Sequence, residues 1–482
     1  MNDIGGGEDL GMADARDWRN PTVDTAVLLV LVIIAVRAGL SPLHDNSFLT
    51  HLSTGRIVLD AGAVPHYDPY SWSAFGHAWT VQSWGASVIY AGAEQIGGML
   101  GIRLINTVCA VALVLILWRL AKPAELLLGR LFTGLIPVAM GAVLWVERPL
   151  LFGAVFLGLA LLAVENKMDP RWLVPIMWAW VNVHGSFPFG LAVVVLFGSG
   201  RWIDERKVPS VEMRSLVWAG LGTMLGAIGP VGPKLLLFPL ELLGNREAFA
   251  GVVEWQPIRW NSAVHWLFAI QLLVTLVALT TRGRRVRLML PALAFGAAAV
   301  LSSRNVLPAS IVLTPILAHA LCGLGRLDGR KRPALAGPVT MALGLVVAFS
   351  VVVGVMGPNT DLEAYPEQAA AYMRSEGLLT TQTRVVSRDF VGNYLTYAYG
   401  PDEVRVFIDD RVDMYPLATI RQYARLLADN GDYQAVLTET RATSVLWDRD
   451  SSFGRWLEQS DGWQVVYTDR NWVVAVPIGV GT

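Results

Sequence analysis

Eleven apolar runs, near residues 24–40, 103–121, 131–146, 149–164, 171–183, 185–200, 214–229, 264–281, 287–301, 304–322 and 335–356, fill most of the chain before residue 357. In hydrocarbon a run of this kind satisfies its backbone only as a helix, and the longest reach the roughly 20 residues that a bilayer requires. With 54% hydrophobic and only 16% charged residues, the 482-residue chain has too little polar surface for an ordinary water-soluble globule. The expected class is a polytopic α-helical membrane protein of about eleven transmembrane helices. A net charge of −1 leaves no basic footprint for nucleic acid. Cys109 and Cys322 lie in or at the end of apolar runs, so neither a disulfide framework nor a thiolate metal site is expected.

Basic clusters between the runs set the orientation. Arg119/Lys122/Arg130, Lys167/Arg171, Arg201/Arg206/Lys207/Arg214, Arg282/Arg284/Arg285/Arg287 and Arg326/Arg330/Lys331/Arg332 resist translocation and belong on the cytoplasmic side. The intervening, outward loops hold fewer cations, among them Arg56, Arg103, Arg148 and Arg304. Residues 1–22 then form an acidic cytoplasmic tail before a retained first span. Two stretches decide the parity of the spans. The run 84–101 carries Glu94, Gln95 and several glycines and is expected as an interfacial or re-entrant helix within a large outer loop, 41–102. The stretch 171–200 is interrupted by Asn182, His184, Gly185 and Pro188 and is expected as two short helices around a polar cavity. A membrane domain, 23–356, thus delivers the chain to the outer face, where 357–482 turn polar and show strand-length apolar patches at 384–386, 404–408, 443–447, 463–467 and 472–476. Amphipathic helical patterns at Leu417–Ala428 and Phe453–Gln459 complete a small extracytoplasmic α/β domain.

Three groups on the outer face carry candidate chemistry. In the first loop, a helix beginning near Asn46 holds Asp45 and His51 at the membrane surface, with Asp45 either a general base for an acceptor hydroxyl or the cap of that helix. Asp68, before Pro69, reads as a turn former. The second group comprises Arg148 in Glu147-Arg148-Pro149, His184 in Asn182-Val183-His184-Gly185 and Arg304 in Ser303-Arg304-Asn305. Ionisable side chains at that depth face a protein interior or a watery cavity. Converging guanidinium forks there suit a phosphate; singly, each arginine could instead anchor in lipid headgroups. His184 is expected as a hydrogen-bonded packing residue or a phosphate contact. The third group is Asp409, Asp410, Arg411 and Asp413, directly after an apolar patch. Its carboxylates could hold a divalent cation such as Mg or Mn, or pair with Arg411 to dock the domain on the membrane part.

The order of these elements resembles a bacterial family of polytopic proteins with the GT-C glycosyltransferase architecture. It runs from Asp45, His51-Leu52-Ser53-Thr54-Gly55-Arg56, Asp68-Pro69-Tyr70-Ser71 and Trp79 through Arg148-Pro149, Trp180-Val181-Asn182-Val183-His184-Gly185, Glu254-Trp255-Gln256-Pro257 and Ser303-Arg304-Asn305 to Phe407-Ile408-Asp409-Asp410-Arg411. That family is distantly related to protein mannosyltransferases and lipid A aminoarabinose transferases. The resemblance implies transfer of a sugar from a polyprenyl-phosphate donor, with inversion at the anomeric carbon, to a cell-envelope glycan, lipid or protein outside the membrane. It also implies Asp45 as the acidic motif of the first loop, and Arg148 and Arg304, with His184 close by, as donor-phosphate contacts. The competing readings are a non-catalytic scaffold or lipid-linked-glycan binding protein and, third, a transporter, which an odd span count and the lack of an internal repeat disfavour.

Overall fold

The apolar runs become helices because no other form closes their backbone hydrogen bonds within the segment. A computed structural model describes residues 22–244, 247–249, 251–282, 285–323 and 337–479. The tail 1–21, Arg284 and the basic group Arg326/Arg330/Lys331/Arg332 lie outside the described residues. In chain order the helices are α1 (Val23–Gly39), α2 (Asn46–Ala61), α3 (Trp84–Leu120), α4 (Leu127–Leu144), α5 (Leu150–Val164), α6 (Leu173–Val183), α7 (Pro188–Glu205), α8 (Ser210–Leu225), α9 (Lys234–Gly244), α10 (Ala263–Thr281), α11 (Val286–Leu301), α12 (Val306–Ala320) and α13 (Gly337–Met356). Among the described residues α3, α4, α10 and α13 are long and apolar enough to cross a membrane. The other apolar runs fold as shorter helices, and α12 is buried along nearly its whole length against α4, α5, α10 and α11. By contrast α13 presents Val346, Phe349, Val352 and Met356 outward, an apolar exterior suited to hydrocarbon rather than to water.

The stretch 171–200 divides as its glycine and proline suggest, with α6 ending at an extended His184 and α7 starting at Pro188. The run 84–101 differs from expectation. It is not a separate interfacial helix but the first half of α3, continuous with the run that follows and broken only at Gly98, whose φ of 61° and ψ of −155° suit glycine alone. The first half lies along α2, and Gly55 is the reason it can: a Cβ there would stand 2.0 Å from the Ser87 carbonyl oxygen.

Arg103, one of the outward loop cations of the topology argument, is instead a buried clamp. Its guanidinium donates to the carbonyls of Ser41 (3.2 Å), Gly354 (2.6 Å) and Leu40, and to Asn359 Oδ1 (2.8 Å). These acceptors end α1 and α13, where helix carbonyls lack intrahelical donors and a cation is favoured. One side chain of α3 thereby fixes the ends of both neighbours.

Beyond α13 lie α14 (Glu367–Ser375), β1 (Val385–Ser387), α15 (Asp389–Tyr399), α16 (Leu417–Leu427), α17 (Tyr433–Thr440), β2 (Ser444–Asp448), α18 (Ser452–Gln459), β3 (Trp463–Thr468) and β4 (Trp472–Pro477). The sheet order is β1-β2-β4-β3, with β1 and β2 parallel and the other pairs antiparallel. Four of the five strand-like patches enter it. The fifth, 404–408, does not: Val406 N–H donates to the Tyr70 carbonyl and the Val406 carbonyl accepts Trp72 N–H, each at 2.9 Å, so this segment pairs with the first loop.

Arg103→Ala removes the guanidinium donor from the buried Leu40 and the half-buried Ser41 carbonyls, and one of two donors from the buried Gly354 carbonyl, at about 1–3 kcal/mol for each group left unpaired. Thermal or denaturant unfolding of the purified variant is expected to show a loss of about 3 kcal/mol or more, with Arg103→Lys recovering part of it; wild-type stability would remove the clamp. The orientation is tested in a chain freed of Cys109 and Cys322. A cysteine at exposed Ser210 is expected to resist an impermeant thiol reagent in intact cells, and cysteines at exposed His77 and Thr438 to react. The reverse pattern would invert the topology.

Candidate functional site

The first turn of α2 is held by two neighbouring residues of opposite charge from the α4–α5 connection. The buried Glu147 carboxylate accepts the backbone N–H groups of His44 and Asp45, the latter at 2.6 Å. Arg148 Nε donates to Asp45 Oδ2 at 2.7 Å, and its Nη1 pairs with Glu254. Asp45 Oδ1 accepts Ser47 N–H at 2.9 Å, the bond of an N-cap. The Asp45 carboxylate thus caps α2 and pairs with Arg148.

His51 follows on α2 against α3, with Nδ1 3.1 Å from Ser87 Oγ. Burial, and then the charge of Arg148, bring its pKa down to about 4, so the ring is neutral at physiological pH. At the α6–α7 break, His184 Nδ1 accepts Ser186 N–H (3.2 Å) and lies 2.7 Å from Ser186 Oγ, whose oxygen in turn accepts Trp180 Nε1–H (3.0 Å). A neutral His184 so arranged carries its proton on Nε2, free to donate to a ligand. Arg304 stands in a short 3-10 turn, Ser303–Asn305, its guanidinium 4.6 Å from the Trp255 ring centroid. The turn is tied to the Val253–Trp255 turn by the hydroxyls of Ser302 and Ser303, which donate to the Glu254 carbonyl at 3.2 and 3.1 Å. His51 lies within electrostatic reach of Arg148, His184 of Arg304 and His51, and Arg304 of Glu254 and Arg148. The fold brings Asp45, His51, Arg148, His184 and Arg304 together from α2 and three separate helix connections.

The third group divides. Arg411 is buried, with Nε 2.9 Å from Asp409 Oδ1 and Nη2 2.7 Å from Asp68 Oδ1, and its guanidinium lies against the rings of Tyr70 and Trp79 at 4.6 and 4.4 Å. Asp68 is the turn former expected, accepting Tyr70 N–H and Ser71 N–H, and a docking partner as well. The segment before this group is not a sheet strand, and Asp409 is paired with Arg411, the docking arrangement weighed beside a ligand site in the sequence. Asp410 instead turns to α2, accepting Thr50 Oγ1–H at 3.0 Å, and burial followed by repulsion from Asp409 raises its pKa to about 6. Burial raises Asp413 to about 6 too. Among the described residues no three His, Cys, Asp or Glu side chains gather as candidate metal ligands.

Glu147 and Glu254 are the site residues that sequence reasoning passed over. The adjacency of Glu147 to Arg148 at a span end was a usable signal, whereas Glu254 appeared only within the quoted Glu-Trp-Gln-Pro string.

No family model matches the chain, and no curated protein does. A search of solved structures finds a crystal structure of ArnT from Cupriavidus metallidurans bound to undecaprenyl phosphate, 12% identical, with 95% of this chain and 98% of that one covered and a TM-score of 0.45. So loose a superposition leaves the chemistry of this site to its own geometry.

His51 offers a pH test. Its folded pKa is depressed, so between about pH 4 and the unfolded value of about 6.5 the unfolded chain binds more protons, and stability rises with pH across that window. Unfolding of wild type beside His51→Gln is expected to show the difference growing in favour of wild type from pH 4 to 6.5 and level above; a flat difference would place the ring in water.

Proposed function

We propose that the protein is a membrane glycosyltransferase that moves a sugar from a polyprenyl-phosphate donor to an extracytoplasmic acceptor. The observation that carries the reading is Arg148, paired with the Glu254 carboxylate, with Arg304, His51 and His184 within electrostatic reach of one another around it. A guanidinium held here is favoured by an anion beside it, and a second cation within electrostatic reach adds to that pull. Glu254, whose side chain is 50% exposed, supplies that anion here, and a phosphate offers the same charge with a better match to the guanidinium fork.

In this reading the donor phosphate takes the place of Glu254, and the Nε2–H of His184 adds a neutral donor. The acceptor hydroxyl attacks the anomeric carbon from the face opposite the phosphate. As the new C–O bond forms, the bond to the phosphate oxygen breaks and its electron pair leaves with the phosphate. Asp45 accepts the hydroxyl proton. Charge grows on the departing phosphate, so the arginines stabilise the transition state more than the ground state. One observation favours a second reading, a non-catalytic lipid-linked-glycan binding protein: both Asp45 carboxylate oxygens are already engaged, one by Ser47 and one by Arg148.

Transfer and donor binding by purified variants separate the two. Arg148→Ala and Arg304→Ala are expected to weaken binding of a polyprenyl-phosphate sugar about tenfold or more, the worth of a charged hydrogen bond, with lysine restoring only part. Asp45→Asn keeps a capping side chain and is expected to retain donor binding while turnover falls by roughly 10²–10⁴. Near-normal transfer by Asp45→Asn would leave the binding-protein reading, and unchanged donor affinity in both alanine variants would end the phosphate assignment.

A further inference from the structure

At the other end of α5 from Arg148, about 22 Å along a 15-residue helix, the chain forms an open cavity of about 540 Å³. It is lined by Lys167, Arg171, Arg214, Asp169, Met168 and Trp218 among others. Its cations come from separate elements. Lys167 is placed by a tight end to α5, where Asn166 adopts a left-handed φ of 54° and Lys167 N–H donates to the Leu162 carbonyl at 2.8 Å. A reciprocal pair of bonds, Arg119 Nη2 to the Lys167 carbonyl (2.8 Å) and Lys167 Nζ to the Arg119 carbonyl (3.3 Å), ties that turn to the end of α3. Asp169 is taken up by Arg171, with Nη2 to Oδ2 at 2.6 Å. Arg214, one turn into α8, makes no ion pair within 4 Å among the described residues, and neither does Lys167. The wall is thus net positive; at Lys167 the nearby Glu165 carboxylate, itself paired with Arg287 and His319, is set against the added charges of Arg119, Lys122 and Arg130.

Below this rim the surface turns apolar. Trp178 on α6 and Val217, Leu221 and Met224 on α8 are exposed, and α6 packs on α8. A charged cavity above an apolar helix pair has two chemistries in register, an anionic head and acyl chains. We propose that this cavity is a binding site for the phosphodiester headgroup of an anionic phospholipid, whose chains run along α6 and α8. Lys167 and Arg214 are its principal cations, and Trp218 supplies the interfacial ring. The site is independent of the sugar-transfer reading, since it lies at the opposite end of the bundle and shares no residue with it.

Native mass spectrometry of the full chain, released from detergent with phosphatidylglycerol or phosphatidylcholine added, tests it. Wild type is expected to retain one phosphatidylglycerol in preference to phosphatidylcholine. Lys167→Ala/Arg214→Ala is expected to lose that retention at least tenfold. Arg206→Ala/Lys207→Ala, which removes equal charge beyond the cavity wall, is expected to keep it. Should the double variant fail to fold, Arg214→Gln alone is expected to lower retention in the same direction. Equal loss in the Arg206/Lys207 control would reduce the effect to general surface charge, and full retention in the cavity variants would exclude the site. Displacement of the lipid by inorganic phosphate would reassign the cavity to a free phosphate and overturn the proposal.

Discussion

The candidate site is organised around the N-terminus of α2. A helix start presents unpaired N–H groups and a partial positive charge, and here the backbone just before it is taken up by Glu147 while the capping carboxylate is held by Arg148. Two consecutive residues of the α4–α5 connection therefore fix both the backbone and the cap of one helix. From that anchored start α2 sets His51 against α3, offers Thr50 to Asp410, and gives the Asn46 carbonyl to Asn393 of α15 at 3.2 Å. The helix bundle, the site and the C-terminal domain meet on its 16 residues.

The C-terminal segment carrying the sheet is fastened by a second buried device of a different kind. Arg411 faces two carboxylates, Asp409 from its own segment and Asp68 from the first loop, and two aromatic rings from that loop. Its Nη1 has no hydrogen-bond partner among the described residues. Ion pairs buried this way often contribute little net stability while being costly to break. The lock is better understood as setting the register in which 404–408 meets the first loop than as a large source of stability.

Much of the helical layout was legible because apolar run length and interruption by glycine and proline are local signals. The division at His184 and the start of α2 at Asn46 follow from residues in place. What stayed hidden were partners distant in sequence. Glu94 argued against a lipid-facing helix without showing why it is there, and its partner is Arg56 on α2, with Nε 2.9 Å from Oε2. Residues 404–408 have the composition of a sheet strand, but strand character reports a fit to some pleated neighbour, not which one. Arg411 was readable as a docking residue beside its own aspartates, yet Asp68 lies more than 300 positions away. At the candidate site, the residue types at the span ends were visible, whereas the capture of Arg148 by two carboxylates depends on the fold alone.

Gly98 turns α3 into a lever. Its second half is packed into the bundle and pinned by Arg103, while the first half carries Ser87 and Tyr90 against His51. Ser87 lies 11 residues from the break, about 16 Å at the helical rise. A change of about 10° at that one backbone position displaces Ser87 by roughly 3 Å, a full hydrogen-bond length. A Cβ at position 98 would touch nothing within 4 Å, so space does not demand glycine there. The angle does, and the alignment of His51 with its partner is set by the torsions of a residue that contacts neither.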